Sequence, residues 1–538
     1  MFQIIKYDPF IYFIDDLLNS LKIKHTTFSI NAFLDNHPFN RSLLAIVDCV
    51  ENYNINVEAY LVNGKLEHIH KIPTPFIVNT KSNGFLIVSE INENEVIVKS
   101  QSKIDQKREV SEFINDWDGN LLVFEPKVNS MEKDYIKNHS IQKALNSIPF
   151  FLAFFLILTL SLSAYKYYDT FSLSRLIGLN ILFTTFYLGS ITSFIIMWFE
   201  IDKYNPTVKS FCTGKIELKL NCDAVINSKS GKLLKWITWG EIGFFYFSGS
   251  FLILLISLFT NNINSINTVG LFSLIALPFT FFSIYFQWKV VQQWCKLCLV
   301  IQALLILTAI TSVFSSFVIF PELSIETLLH ISFSFFLPIL FWLIMKSKWV
   351  ENLKLKKERV SLLKLKYNEN VFSAFLNKSK VIQNNPNGMG IILGNSNAQN
   401  TIIKVCNPFC SPCASAHQEL KELVNSNPDI KVQIIFNATT SDDDKRKAPV
   451  SHFVTYAEYN NMNSVESLLD NWYSSKTKEY EQFKNKFPLT KENILQNEKI
   501  DQMSNWCIKE DIQFTPTIFI NGFQLPSQYK ISELNYFL

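Results

Sequence analysis

Two C-x-x-C motifs are the residues of this sequence best suited to do chemistry. Cys295 and Cys298 lie where one apolar stretch ends and the next begins, and Cys410 and Cys413 follow a short run with the pattern of a strand. Two thiols at this spacing share one face of a helix's first turn, where the helix dipole favours a thiolate. A zinc site needs about four ligands, and neither motif has a matching Cys or His cluster nearby. Both motifs therefore predict redox-active thiols and no metal.

The composition predicts a membrane protein without a nucleic-acid partner. Of the 538 residues, 48% are hydrophobic and 48 are Phe, and the apolar runs crowd into the middle third. A net charge of +3 and scattered lysines provide no basic, aromatic-rich block for a phosphate backbone. Six runs approach the roughly 20 residues that cross a bilayer. They are 148–165, 173–199, 236–259, 269–288, 298–316 and 328–345. An even number of spans places both soluble ends on one side.

The chain divides into three units and two connectors. We predict a small α/β domain at 1–126, a polar linker at 127–147, an all-α transmembrane helix bundle at 148–346, a basic linker helix at 347–380 and a second α/β domain at 381–538. Helical spacing at 10–21 and 42–53, and short β-rich runs at 76–78, 85–88 and 96–98, support the first assignment. Residues 1–21 lack a basic flank followed by an apolar core, which argues against a cleaved signal peptide.

The first domain has an ordered set of local signals. His37-Pro38 precedes a helix, Ile72 to Ile77 reads Ile-Pro-Thr-Pro-Phe-Ile, a strand pair follows, and the segment 117–126 ends in Pro126. This series resembles the papain-like cysteine-peptidase domain that removes double-glycine leaders ahead of bacteriocin-exporting ABC transporters. The resemblance implies a nucleophilic Cys near the N-terminus, a His beside the Asn-Gly strand and an Asp after the next strand.

The residues that such a peptidase needs are missing from this sequence. No Cys precedes Cys49, Asn83-Gly84 runs into Phe85 without a His, and Lys99-Ser100 stands where an Asp is expected. Without a nucleophile and a base there is no route to an acyl-enzyme. We therefore predict no peptidase activity, a peptide-binding or docking relic, and Cys49 as a small core residue.

Two further cysteines lie on the same membrane face as the first C-x-x-C motif. Cys212 and Cys222 are in a loop of about 36 residues between the second and third spans. A loop cysteine pair, Ser228 six residues after the second Cys, and a C-x-x-C opening a later span resemble the vitamin K epoxide reductase family over 173–345. An additional span, 148–165, precedes the four-helix core of that family.

That resemblance implies a role for each of these residues. Cys298 would face a quinone with Ser228 contributing to the quinone site, Cys295 would exchange with Cys222, and Cys212 would receive electrons from a partner domain. The quinone would be menaquinone or ubiquinone. Gln302 occupies the position where vertebrate members carry a quinone-contacting Tyr, which argues against vitamin K epoxide itself as the substrate.

The second C-x-x-C motif is followed by a separate Thr-Pro turn. The run Ile402 to Val405 enters the motif through Asn407-Pro408-Phe409, which puts Cys410 at an exposed helix N-terminus and Cys413 one turn inside as the resolving thiol. About a hundred residues later comes Phe514-Thr515-Pro516-Thr517. These two motifs resemble the thioredoxin-like disulfide oxidoreductases over 391–538, with a helical insertion near 441–510.

The thioredoxin-like resemblance implies that Pro516 is cis and lies with Thr515 against the active disulfide, where the two residues bind substrate. Cys406 and Cys507 have no motif around them, so we interpret both as core thiols, and a pair between them stays open.

We predict an enzyme that oxidises proteins with reduced cysteines and so promotes disulfide bond formation. Electrons would pass from Cys410/Cys413 to the loop pair, then to Cys295/Cys298 and a membrane quinone, each step being a thiolate attack through a mixed disulfide. The alternative is a non-proteolytic accessory of bacteriocin or peptide export that binds exported peptides and services their cysteines. A transporter is disfavoured, because the spans carry almost no charge besides Glu241 and Lys289 near their ends.

The membrane orientation is predicted by two arguments that disagree. Thiol oxidation favours the periplasmic face of a bacterial inner membrane. The positive-inside rule favours the opposite face, because Lys203, Lys209, Lys215, Lys219 and the lysines after Met345 lie on the cysteine side. We expect the periplasm, because both redox units need an oxidising product side.

Overall fold

The computed structural model describes residues 5–62, 69–101, 105–212, 221–226, 232–234, 237–322, 324–489 and 496–538. It separates into two compact units, Met1–Val360 and Ser361–Leu538. The first unit contains an N-terminal sheet domain and the apolar helices, and the second unit is the C-terminal α/β domain.

The N-terminal sheet domain is a small α/β fold. Its helices are α1 (Pro9–Ser20), α2 (Thr27–Asp35), α3 (Leu43–Glu51) and α4 (Val110–Asp116). Its strands are β1 (Ile55–Leu61), β2 (Phe76–Thr80), β3 (Gly84–Ile91), β4 (Glu95–Lys99), β5 (Asp105–Glu109) and β6 (Trp117–Pro126), in the order β1-β6-β2-β3-β4-β5 and antiparallel throughout. Alternate residues of β2 face opposite sides of the sheet: Ile77 packs with α1–α3, and Phe76 packs with Trp117.

Among the described residues, six helices are long and apolar enough to cross a membrane. They are α5 (Tyr135–Tyr167), α6 (Leu173–Ile201), α9 (Trp239–Thr260), α10 (Ile263–Tyr285, continued by a π-helical turn over Phe286–Val291), α11 (Lys296–Phe314) and α12 (Ile325–Lys366). The loop between α6 and α9 contains α7 (Pro206–Cys212), α8 (Cys222–Ile226), β7 (Lys232–Leu234) and β8 (Ile237–Thr238). The prediction of a multi-pass membrane protein with an all-α bundle is confirmed.

Close aromatic packing and an ion pair on a buried carboxylate hold the bundle together. A side chain at Gly189 on α6 would meet the Phe247 ring of α9 at 2.1 Å, so glycine permits this helix approach. Glu241 on α9 is buried and accepts hydrogen bonds from Trp342 Nε1 and Lys346 Nζ on α12, both at 2.6 Å. The acidic residue near a span end therefore ties two helices together.

The sheet domain is joined to the helices through backbone and side-chain contacts. The Lys6 N–H donates to Thr207 Oγ1 on α7 at 3.0 Å, and the same hydroxyl donates back to the Lys6 carbonyl at 3.0 Å. Gln142 Nε2 on α5 donates to Thr27 Oγ1 at 2.7 Å. Residue 6 is therefore fixed against the short helix that ends in Cys212.

The C-terminal unit has a thioredoxin-like α/β fold. Its strands are β9 (Ile391–Gly394), β10 (Asn400–Cys406), β11 (Ile430–Phe436), β12 (Thr517–Ile520) and β13 (Phe523–Gln524), in the order β13-β12-β10-β11-β9, with only β10 and β11 parallel among these strands. Its helices are α13 (Glu369–Asn377), α14 (Ser411–Ser426), α15 (Lys447–Tyr459), α16 (Met462–Ser474), α17 (Tyr480–Lys486) and α18 (Asn497–Lys509). The last four helices form the predicted insertion.

Candidate redox sites

Cys295 occupies the N-cap of α11. Its Sγ accepts a hydrogen bond from the Cys298 N–H at 3.2 Å, which satisfies one of the unpaired donors of the first helical turn. The Cys295 N–H donates to the Gln287 side-chain oxygen at 2.8 Å. Gln287 lies in the π-helical turn of the preceding span and is fully buried. The end of one span therefore holds the backbone of the motif that opens the next.

The loop cysteines are brought to the same place by Asn221. Its N–H donates to the Trp294 carbonyl at 3.0 Å, and its Oδ1 accepts from the Ala224 N–H at 3.1 Å, which caps α8. Cys222 begins α8 and lies within hydrogen-bonding reach of two thiols, those of Cys212 and Cys295.

The four thiols form one row in the order Cys212, Cys222, Cys295, Cys298. Each member is within hydrogen-bonding reach of the next. The first three are buried, and Cys298 is partly exposed. Adjacent sulfurs in contact can exchange disulfides without a large rearrangement.

Electrostatics place the thiolate of the reduced row at Cys222. Hydrogen bonds from the thiols of Cys212 and Cys295, together with the backbone N–H groups of Lys296 and Leu297, hold the pKa of Cys222 well below its ordinary value. The pKa of Cys212 is raised, first because its thiol donates to Cys222 and then by burial. The positive end of α11 therefore acts on a loop cysteine as well as on its own motif.

An apolar cavity of about 240 Å³ adjoins the end of the row. Cys298 forms part of its wall, and the other walls are mostly aromatic or aliphatic, including Trp239, Tyr246, Phe247, Phe279, Phe282 and Phe286. Ser193 also lines the cavity, and its Oγ is buried with no hydrogen-bond partner within the described part of the chain. A flat aromatic headgroup with carbonyl oxygens fits these walls, so the residues present are compatible with a quinone.

Of the two residues considered near the quinone site, Ser228 and Gln302, the structure describes only Gln302. Ser228 lies outside the described residues, so its assignment to the quinone site stays a prediction. Gln302 is buried, and its Nε2 donates to Ser283 Oγ. Ser283 lines the cavity, whereas Gln302 is not among the residues of its wall. The Gln302 side chain therefore lies outside the cavity wall and holds Ser283, which is part of that wall.

The second redox motif lies at the start of α14. Cys410 is the N-cap, and its Sγ donates to the Thr515 carbonyl at 3.4 Å, directly before the cis Thr515–Pro516 bond. Cys413 is fully buried, and burial raises the pKa of its thiol to about 12. Phe409 and Phe514 are exposed. The accessible sulfur is Cys410, and two exposed rings flank its contact with Thr515 in the sequence: Phe409 precedes Cys410, and Phe514 precedes Thr515.

The remaining cysteines are buried thiols. Cys406 Sγ lies 3.2 Å from the Tyr473 hydroxyl, and Cys507 is buried on α18. Burial, with a contribution from Asp48, raises the pKa of Cys49 to about 12. A peptidase nucleophile needs an accessible thiol of low pKa, so Cys49 has the properties of a core residue. Among the described residues no cluster of His, Cys, Asp and Glu could hold a metal ion.

Sequence reasoning missed several residues that shape these sites. Gln287 and Asn221 position the two cysteine pairs through hydrogen bonds, and Lys404 lies fully buried in β10, the strand that leads to Cys410. A charged residue inside the apolar run 402–405 was the available signal for Lys404. Gln287 and Asn221 gave no such signal in the sequence, because single Gln and Asn residues near the ends of spans are common.

Three known families match the chain. The Peptidase C39 family matches residues 6–129, the Vitamin K epoxide reductase family residues 180–313, and a thioredoxin family residues 386–538. The chain thus joins a peptidase C39-like domain, a vitamin K epoxide reductase-like bundle and a thioredoxin-like domain, as the sequence motifs predicted.

Solved structures resemble the two soluble domains. The peptidase domain of Streptococcus ComA, a bifunctional ABC transporter, is 14% identical and aligns with 22% of this chain and 92% of its own, with a TM-score of 0.20. A periplasmic thioredoxin-like protein from Salmonella enterica serovar Typhimurium is 18% identical over 31% and 94%, with a TM-score of 0.24. BdbD from Bacillus subtilis is 14% identical over 29% and 94%, with a TM-score of 0.25. No curated protein matches the chain in sequence.

Proposed function

We propose that the protein oxidises dithiols of other proteins and delivers the electrons to a membrane quinone. The vitamin K epoxide reductase and thioredoxin matches support thiol–disulfide oxidoreductase activity. The observation that carries the finer proposal is the row of four cysteines that ends at the apolar cavity beside Cys298. A row of this kind connects a loop at the membrane surface with a site for an apolar electron acceptor.

The first half of the reaction uses the thioredoxin-like domain. A substrate thiolate attacks Cys410 Sγ and Cys413 leaves as the thiolate; a second substrate thiolate then releases Cys410 and forms the substrate disulfide. The Cys410 thiolate next attacks the Cys212–Cys222 disulfide at Cys212, and Cys413 resolves the mixed disulfide. Two electrons have then moved from the substrate to the loop pair.

The second half uses the row in the bundle. The Cys222 thiolate, stabilised by the first-turn amides of α11, attacks Cys295 and releases Cys298. Cys212 then attacks Cys222, which re-forms the loop disulfide and leaves Cys295 and Cys298 reduced. A quinone bound in the cavity would supply the capacity to accept two electrons and two protons when these two thiols close to a disulfide. Cys298 is the thiol that lines the cavity.

The direct test is quinone reduction by the purified full-length protein. A reduced model peptide with two cysteines is supplied with either menaquinone or ubiquinone analogues, and hydroquinone and peptide disulfide are measured together. We expect one disulfide per hydroquinone, and the faster analogue identifies the preferred quinone. Peptide oxidation that needs no quinone, or hydroquinone formed without peptide oxidation, would contradict the proposal.

We also propose that the cysteine face is periplasmic in a bacterial inner membrane. Disulfide formation needs an oxidising compartment, and the lysine distribution alone would give the opposite answer. Alkaline phosphatase and green fluorescent protein fused separately after Leu538 report the side directly. We expect the phosphatase fusion to be active and the fluorescent-protein fusion to be non-fluorescent. An inactive phosphatase with a fluorescent fusion would place the cysteine face in the cytoplasm and contradict the proposal.

The peptide-export accessory remains the second candidate. It is favoured by the Peptidase C39 match and by the contact of Lys6 with the helix that ends in Cys212. Binding of a double-glycine leader peptide to the purified protein, measured by calorimetry, tests it. Leader binding without peptide-dependent quinone reduction would favour this candidate over the oxidase.

A further inference from the structure

Ser283 lies in the wall of the cavity beside Cys298, and its hydroxyl keeps a proton that it can donate. The Ser283 Oγ accepts hydrogen bonds from Gln302 Nε2 and from Gln287 Nε2, the latter at 3.4 Å. A hydroxyl has two acceptor lone pairs and one donor proton. Both lone pairs are therefore engaged, and among the described residues no acceptor takes the proton. This proton is available to a molecule in the cavity.

The side-chain amide of Gln287 fixes the direction of one of these bonds. Its oxygen accepts from the Cys295 N–H at 2.8 Å, so its nitrogen is the atom that faces Ser283. The same nitrogen also donates to the Ser283 carbonyl of its own helix at 3.4 Å. One buried amide therefore connects the backbone of the redox motif with a hydroxyl of the cavity wall.

A second hydroxyl of the cavity wall has no partner at all in the described part of the chain. Ser193 on α6 is buried, and its Oγ makes no hydrogen bond there. Ser190 and Thr192 on the same helix each donate to the carbonyl four residues earlier at 2.8 Å, which satisfies a hydroxyl inside a helix. Ser193 lacks this bond, although an unpaired buried hydroxyl costs free energy. Packing alone therefore does not explain a serine at this position.

The two serines lie on opposite sides of the cavity. Helices α9 and α11 each pack against both α6 and α10, so Ser193 on α6 and Ser283 on α10 belong to helices that face each other across the bundle. The Glu200 carboxylate also lines the cavity, but it accepts a hydrogen bond from Thr238 Oγ1 at 2.8 Å. Most of the remaining wall is apolar. A molecule that satisfies both hydroxyls needs oxygen atoms at two opposite edges of an apolar ring.

We propose that the hydroxyls of Ser283 and Ser193 each donate a hydrogen bond to one carbonyl oxygen of the electron acceptor and so select a para-quinone, whose two carbonyls lie at opposite edges of the ring. A quinone with adjacent carbonyls would meet only one of the two donors. Gln287 and Gln302 would be positioning residues, because they act on the acceptor only through Ser283. The inference rests on the proposed function, since it concerns the same cavity. Donors at these oxygens would also stabilise the charge that develops there on reduction.

The first test measures binding without electron transfer. The full-length protein in lipid nanodiscs is oxidised so that it cannot reduce a quinone, and equilibrium dialysis gives the Kd of 2-methyl-1,4-naphthoquinone. We expect Ser283→Ala and Ser193→Ala each to weaken binding by about three- to tenfold, the usual loss for one neutral hydrogen bond. Binding of 2-methylnaphthalene, the same ring system without carbonyls, should stay the same in both variants, which shows that the cavity is intact.

A matched variant separates recognition of the acceptor from helix packing. Ser190→Ala removes a hydroxyl from the same helix as Ser193, but this hydroxyl donates to the Phe186 carbonyl and the residue does not line the cavity. We expect Ser190→Ala to bind both ligands as the wild type does. A loss of quinone binding equal to that of Ser193→Ala would attribute the effect to packing and overturn the role of Ser193.

Infrared spectroscopy of the bound quinone identifies the carbonyl that each serine contacts. A hydrogen bond lowers the stretching frequency of a carbonyl, and carbon-13 at one or the other carbonyl carbon separates the two bands. Ser283→Ala should return one band toward the frequency of the free quinone, and Ser193→Ala should return the other. Gln302→Met should affect the same band as Ser283→Ala and should weaken binding no further when the two changes are combined. A change in both bands in every variant would indicate a general disturbance and contradict the proposal.

The results distinguish this inference from the proposed function. Wild-type protein should bind 1,4-naphthoquinone more tightly than the 1,2 isomer, and equal binding would overturn the selection of a para-quinone. If the quinone binds no more tightly than 2-methylnaphthalene and its bands are those of the free molecule, the cavity is no quinone site and the proposed function fails as well. If the quinone binds well but neither band responds to Ser283→Ala or Ser193→Ala, the proposed function stands and the inference is wrong.

Discussion

Cys222 lies between the two halves of the cysteine row. It reaches Cys212 on one side and Cys295 on the other, and the first-turn amides of α11 stabilise its thiolate. A sulfur can form only one disulfide at a time, so in the proposed relay Cys222 would alternate between its two neighbours. In the proposed relay the Cys222 thiolate, whose pKa is lowered, attacks Cys295, and Cys222 is then attacked by Cys212.

The cavity beside Cys298 leads to a prediction about the last electron transfer. Cys298→Ala should abolish quinone reduction, because no second thiol remains to close a disulfide with Cys295. Disulfide exchange between Cys410/Cys413 and the loop pair should persist. Hydroquinone formation and thiol labelling of each pair are measured in parallel. Cys507→Ala, which removes a buried thiol outside the row, should behave as wild type, and undiminished quinone reduction in Cys298→Ala would contradict the assignment.

The order of the relay is tested by removing a resolving thiol. In Cys413→Ala, Cys410 should accumulate in a mixed disulfide with Cys212 or with a substrate protein, because no neighbour can release it. Non-reducing proteolysis followed by mass spectrometry identifies the partner peptide. Cys212 is expected ahead of Cys222, because Cys222 must stay free to exchange with Cys295. Cys410 joined only to small thiols or foreign proteins, with quinone reduction preserved, would rule out the internal relay.

Spacing in the sequence predicted the cysteine motifs but not the environment of each sulfur. The C-x-x-C spacing and the span count placed Cys212 and Cys222 on the same face as Cys295, and the structure brings these sulfurs together. The effect of the α11 amides on Cys222 could not be read from the sequence, because it depends on how a long loop folds back onto a helix end.

At the scale of elements, the position of Cys212 depends on the short helix α7, which ends at this residue. Thr207 is buried on this helix and makes both hydrogen bonds to Lys6. The rest of the loop around the cysteine pair contains only short elements within the described part of the chain. The contact with residue 6 therefore contributes to the position of α7 and of the cysteine at its end.

Thr207→Val should loosen α7 without changing its volume much. Two hydrogen bonds of about 1 kcal/mol each would be lost, so we expect Cys212 in the reduced protein to be alkylated several-fold faster by a maleimide. Thr192→Val is the matched control, because the Thr192 hydroxyl donates only to Leu188 in its own helix, at 2.8 Å. Equal alkylation of Cys212 in wild type and Thr207→Val would mean that Lys6 does not hold the helix.

The positions of the long helices could be predicted from their apolar runs, but the residues at which these helices begin and end could not. The six runs found in the sequence became six helices, yet α5 begins at Tyr135 and α12 continues to Lys366. Pro149, the second residue of the first predicted run, lies inside α5 and not at its start. Once a helix has nucleated, polar residues extend it at little cost, so hydrophobicity marks the membrane part of a helix and not its full length.

At the scale of the whole molecule, the N-terminal domain has a peptidase C39-like fold, and we predict that it has no peptidase activity. We expect the purified protein to leave a double-glycine leader peptide intact over hours. The measurement is mass spectrometry of the peptide, with an active C39 peptidase domain as the positive control. Cleavage that persists in Cys49→Ala would show that an unrecognised group does the chemistry.

The join between domains was beyond sequence reasoning. Each domain has local signals that predicted its fold, such as the strand pairs of the sheet domain and the Thr-Pro turn before β12. The hydrogen bonds between Lys6 and Thr207 connect positions 201 residues apart. No periodicity or motif carries such a contact, because it depends on two surfaces that meet only after both have folded.

The proposed pairing of the cysteines also sets how many electrons the molecule could store. Of the nine cysteines, six form the three exchangeable pairs of the proposed relay. Cys49, Cys406 and Cys507 are buried and belong to none of these pairs, although Cys406 interacts electrostatically with Cys410 and Cys413. A fully oxidised protein deprived of its acceptor should therefore convert three dithiol peptides per chain and then stop. Its titratable thiols should rise from three to nine in steps of two. The oxidised protein would therefore hold a small reserve of disulfides and could still oxidise substrate dithiols after the supply of quinone has ended.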